Sequence, residues 1–72
     1  MEFEDVKVGK LVKVLEDGGY DAAEYADCIG NCYEVAEIGG LCASDTTIGL
    51  KVPNARGMNG LRWYYAEELE AT

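Results

Sequence analysis

The chain contains no histidine, which removes the commonest general base and the usual nucleophilic triads. No GxGxxG or P-loop pattern occurs either. Carboxylate pairs stand at Glu16-Asp17 and Glu67-Glu68, but neighbours in sequence share no cleft on that account. No enzymatic activity is expected. No apolar run approaches the roughly 20 residues of a membrane span. No leader pattern precedes the acidic start MEFEDV, so the expected location is cytoplasmic and membrane contact is not expected. The three cysteines, Cys28, Cys32 and Cys42, are too few and too odd for a secreted disulfide framework, which agrees with a reducing compartment. They are also one ligand short of a structural zinc site, and only an acidic residue such as Asp27 or Asp45 is at hand to complete it. Cysteine serving as a small buried hydrophobe is the commoner use. Calcium has no EF-hand loop to occupy. Neither a metal nor a cofactor is expected.

Cations are absent over a long span. Between Lys13 and Lys51 there is no lysine or arginine, while Glu16, Asp17, Asp21, Glu24, Asp27, Glu34, Glu37 and Asp45 fall inside it. With 14 acidic and 6 basic residues the net charge is −8, and those eight acids account for it. Binding phosphates directly requires cations that displace counterions, so direct nucleic-acid binding is disfavoured. An acidic excess serves solubility, or it offers a face to a basic partner.

What the chain does have is a half-apolar composition in 72 residues, enough for one small folded domain spanning 1–72. Nine glycines and a single proline favour many turns and an all-β fold. Apolar alternation starts at Val6 and Val8, breaks at Gly9, and resumes at Val12 and Val14 with Lys13 on the other face, predicting a first strand that ends near Leu15. EDGG is turn chemistry. Residues 20–27, YDAAEYAD, are too few for an independent helix and read as part of a long first loop with at most one helical turn. In the second strand the inward candidates Val35 and Ile38 are three apart, which predicts a β-bulge or strong bend. Ile48, Leu50 and Val52 share one face of a third strand that Pro53-Asn54 terminates. Asn59-Gly60 is a reversal signal, residues 61–65 form a fourth strand, and AEELE makes a short helical turn with a last strand residue or two. Four or five short strands with a long first loop and strong bends describe a small closed or nearly closed antiparallel barrel.

The segments VGKLVKVLEDG, CIGNCYEVAEI, TIGLKVPN and RWYYAEELE, in that order from Val8 to Glu70, resemble the SH3-like small β-barrels of phage and prophage proteins. The second strand is also similar to the KOW-type motif, although Tyr33 stands where that motif has glycine and its RNA-contacting basic residues are missing. The resemblance implies an SH3-like barrel acting as a binding module, of phage or prophage origin. Such barrels host many unrelated roles.

Within 61–65, Leu61, Trp63 and Tyr65 face one way while Arg62 and Tyr64 face the other. Three large side chains exceed what so small a barrel hides, so at least one aromatic should be exposed. The resemblance implies a groove between the first loop and the last strands, where aromatics receive a protein partner. The contact surface expected on this basis is Tyr20, Tyr25, Trp63 and Tyr64, with Glu24 and Asp27 as an acidic rim. Other uses of the same residues are aromatics that cap the barrel, aromatics that pack against a second copy in a homo-oligomer, an acidic span that mimics nucleic acid, and a structural subunit of a phage assembly.

Overall fold

In the structure, a computed structural model, residues 2–18, 22–39 and 47–72 are described. Five strands carry the fold: β1 (Leu11–Val14), β2 (Cys32–Ile38), β3 (Thr47–Leu50), β4 (Arg62–Tyr65) and β5 (Leu69–Ala71). All ladders are antiparallel and run in the order β4-β3-β2-β1-β5. Among the described residues the only helical pieces are three-residue 3-10 turns. The protein is therefore all-β.

The first strand begins later than its apolar pattern predicts. Val6 is buried, but Val8 is exposed, because Gly9 takes a left-handed φ of 90° and Lys10 N–H bonds back to the Lys7 carbonyl at 3.1 Å. A turn thus occupies 7–10, and only from Leu11 does the chain pair as a strand, with Val12 and Val14 fully buried. The predicted bend in β2 is present as a register shift: Val35 pairs with Leu50, but Glu37 pairs with Gly49. The extra residue bends the strand so that its first half pairs with β1 and its second half with β3.

The two ends of the ladder, β4 and β5, are joined by only the 3-10 turn Ala66–Glu68. Three residues span too little distance to cross a flat five-stranded sheet, so the sheet must curl until the end of β4 comes near the start of β5. The curl turns one face inward. Val12, Val14, Val35, Ile48, Leu50, Tyr64 and Leu69 are completely enclosed there, joined by Val6, Tyr25, Cys28 and Val52. The described residues between β1 and β2, 15–18 and 22–31, belong to the long first loop and carry one 3-10 turn, Ala26–Cys28. Tyr25 and Cys28 anchor that turn in the core.

Candidate functional site

The two faces of β4 have different fates. On the inner face Arg62 points back over the first loop. Its Nε donates to Asp17 Oδ2 at 3.1 Å and its Nη2 to Oδ1, a bidentate pair in which the Asp17 side chain is 1% and the Arg62 side chain 12% exposed. The guanidinium carbon lies 4.3 Å from the centre of the Tyr25 ring and 5.6 Å from that of Tyr64. Burial opposes the guanidinium charge, but the hydrogen bonds and charge of Asp17 outweigh it, and the net effect raises the Arg62 pKa. Burial, followed by the neighbouring Asp17, pushes the Tyr64 hydroxyl well above its ordinary value of 10.0. Tyr25 also accepts the Arg56 backbone N–H on its hydroxyl at 3.1 Å.

Tyr25 and Tyr64, expected at a contact surface, are therefore interior residues. Tyr64 is the buried member of the Trp63-Tyr64 pair, at 1% exposure. The reason is the ion pair: once Arg62 is drawn inward to Asp17, alternation carries Tyr64 inward with it.

Trp63 and Tyr65 consequently face out. The Trp63 ring packs closely against Gly49 in β3 and Gly57 in the β3–β4 loop, where two glycines leave room. A Cβ on Gly49 would sit 3.0 Å from Trp63 Cη2 and 2.8 Å from Leu61 Cδ1. A Cβ on Gly57 would meet Trp63 Cδ1 at 3.0 Å and collide with the Leu61 carbonyl. The indole N–H donates to the Met58 carbonyl at 3.0 Å, which locks the ring in place. The result is a rigid, half-buried aromatic platform with Tyr65, 53% exposed, beside it.

Trp63 and Tyr65 line a groove of about 220 Å³ together with Glu16, Gly18, Glu67 and Glu68. Glu68 builds it: one carboxylate oxygen accepts the Tyr65 N–H at 2.9 Å and the other the Gly18 N–H at 3.1 Å, tying β4 to the first loop. Glu16 and Glu67 are exposed and make no ion pair among the described residues. No lysine or arginine lines the groove. Its chemistry is an aromatic floor with a negative rim, suited to an apolar or cationic group.

The expected acidic rim lies elsewhere. Glu24 and Asp27 line a separate groove of about 420 Å³ with Tyr25, Cys28, Asn31, Tyr33, Val52, Pro53 and Asn54. The larger volume does not make it the better site. Glu24 is already paired with Arg56 at 2.7 Å, Tyr25 shows little of its ring, and the Asn31 amide is bound to the Asp27 carbonyl. The neighbouring Cys28 thiol, then burial, raise the pKa of the Tyr33 hydroxyl. The structure thus separates Trp63 from Glu24 and Asp27, and Tyr20 lies outside the described residues. The residues that sequence reasoning missed are Tyr65, Glu16 and Glu67. Alternation did place Tyr65 beside Trp63, but nothing local pairs Glu16 with Glu67, which sit 51 positions apart.

Four of the six described acids in the basic-free span already have a partner. Asp17 and Glu24 are paired with arginines, Glu34 with Lys51 at 2.7 Å, and Glu37 accepts the Asn59 amide at 2.9 Å. Asp21 and Asp45 lie outside the described residues, as does Cys42. Cys28 is buried and Cys32 exposed. Among the described residues no helix is long and apolar enough to cross a membrane. Compared with protein-family models, curated proteins and solved structures, the chain matches none of them.

Proposed function

We propose that the chain is a non-catalytic protein-interaction module that holds its partner in the groove between the first loop and the last strands. Trp63 and Tyr65 are the contact residues, and Glu16 and Glu67 form the rim. The observation that carries this reading is the locked Trp63 platform: an aromatic whose ring position is set by two glycines and an indole hydrogen bond before any partner arrives. Such preorganisation lowers the entropy cost of binding, and tryptophan and tyrosine are the side chains most often found at the energetic centre of interfaces. The groove position is the one implied by the resemblance to SH3-like barrels of phage and prophage proteins, and that resemblance belongs to the same proposal.

The test is capture of a partner from bacterial lysate by the tagged protein, compared across substitutions whose folding is checked by thermal unfolding. Tyr65→Ala and Trp63→Ala should abolish capture, whereas Tyr33→Ala in the larger groove should leave it intact. Tyr65→Ala is the cleaner variant, since its side chain is mostly in solvent and its thermal unfolding should match the parent. Equal capture by the parent and by both groove variants would overturn the proposal.

A further inference from the structure

The six cations of this chain are unevenly employed. Lys51, Arg56 and Arg62 are paired with Glu34, Glu24 and Asp17. Among the described residues the three that make no ion pair are Lys7, Lys10 and Lys13, all within β1 and the turn that leads into it. Lys13 stands opposite Glu70 in the β1–β5 ladder, so Lys7 and Lys10 are the least compensated. Two apolar side chains sit among them on the surface: Val8 at 64% exposure, the most exposed large hydrophobic described, and Leu11 at 52%. The turn is held firmly, with Gly9 N–H bonded to the Val35 carbonyl at 2.8 Å and Lys10 N–H to the Lys7 carbonyl. Glu4 and Asp5 precede this patch on the 3-10 turn Phe3–Asp5, but from Val6 to Leu15 the chain has no acid.

This basic, apolar knob lies at one end of β1 and the groove at the other. Leu15 N–H bonds the Glu68 carbonyl at 2.8 Å, which puts Glu16, Glu67 and Glu68 just past the far end of the strand. Four strand residues at about 3.3 Å each hold the two ends roughly 13 Å apart. The knob therefore does not fill its own groove, although the two are complementary in charge and both present apolar surface.

We infer that the groove of one copy receives the Lys7–Leu11 knob of a second copy, so that the protein assembles head to tail. This rests on the groove being the contact site, and it names the partner. Val8 and Leu11 of one copy cover Trp63 and Tyr65 of the next, while Lys7 and Lys10 meet Glu16 and Glu67. In this head-to-tail arrangement the contact is heterologous, and an open dimer keeps one free knob and one free groove. Growth continues until the rotation closes a ring, or it extends as a filament. Rim charges steer and select such a contact, and salt screens them over about 8 Å at physiological ionic strength.

Sedimentation equilibrium over a concentration series, at low and at high salt, tests this with three proteins. The parent should exceed its monomer mass of 7.8 kDa as concentration rises, and less so in high salt. Lys7→Glu/Lys10→Glu, which keeps the groove, and Tyr65→Ser/Glu67→Gln, which keeps the knob, should each remain monomeric. Mixed one to one they should form a species of twice the monomer mass that grows no further, because the single functional knob and groove are then consumed. A parent that stays monomeric at every concentration and salt overturns the inference, as does assembly that survives either double substitution. If lysate capture still depends on Tyr65 while the parent is monomeric, the groove reading stands and only the second copy is rejected.

Discussion

At the scale of single residues, the interior of this curled sheet is organised by a charge. Arg62 and Asp17 form a bidentate pair that is almost fully enclosed, with two tyrosine rings stacked near the guanidinium. Removing one partner of such a pair strands the other charge in a low-dielectric site, which typically costs about 3 to 5 kcal/mol. Asp17→Asn should therefore lower the urea midpoint sharply. In a domain of this size each kcal/mol corresponds to a shift of roughly 4 to 8 °C in Tm. Tyr64 gives the fold an alkaline limit. Its folded hydroxyl keeps its proton beyond its ordinary value of 10.0, so the folded state binds a proton that the unfolded chain releases. The contribution is complete below pH 10 and is lost as pH rises above it toward the folded pKa. Urea midpoints measured from neutral pH upward should fall past that point, and Tyr64→Phe should flatten the fall. Tyr33, also raised, leaves a smaller residual slope.

Elements hold together here through contacts that strand patterns do not reveal. Gly57 has an ordinary negative φ of −72°, so its role is steric: its missing side chain makes room for the Leu61 carbonyl and the Trp63 ring. Gly57→Ala should destabilise the β3–β4 loop and push Trp63, the chain's one tryptophan, towards solvent, which red-shifts its emission. Circular dichroism melting beside fluorescence would separate the two effects. Glu68 has a comparable role for the first loop. With Glu68→Ala the N–H groups of Tyr65 and Gly18 lose their acceptors, and amide hydrogen exchange at those two positions should speed up together. The stability loss should be modest, about 1 kcal/mol, because both donors are near solvent.

On the scale of the whole molecule, the curl that the short turn between β4 and β5 imposes on the sheet decides what is inside. It draws side chains from all five strands and the first loop into one core and leaves the ends of β1 with opposite character. Leu69, fully buried on the last three-residue strand, is where that curl is most exposed to damage. Leu69→Ala should cost roughly 2 to 5 kcal/mol, enough to unfold much of so small a domain at moderate temperature. Thermal denaturation would show it as a large fall in Tm.

Much of this architecture is local and so was readable from the residues alone. Alternation at Val12-Val14 and Ile48-Leu50, the three-residue gap between Val35 and Ile38, and the Asn59-Gly60 reversal each depend on neighbours a few positions away. They predicted the strands, the bulge and the turn that the structure contains. Gly9 misled only in extent, since its left-handed turn removed Val8 from the strand. The candidate site was legible in one residue, Trp63. Alternation divides β4 into two faces but carries no sign: it cannot say which face is the interior. That sign came from Arg62 meeting Asp17, 45 residues away, and from Gly49 and Gly57 opening a bed for Trp63 on the opposite face. Those contacts exist only after the sheet has curled, so tertiary structure alone buried Tyr25 and Tyr64, exposed Tyr65, and brought Glu16 and Glu67 to one groove.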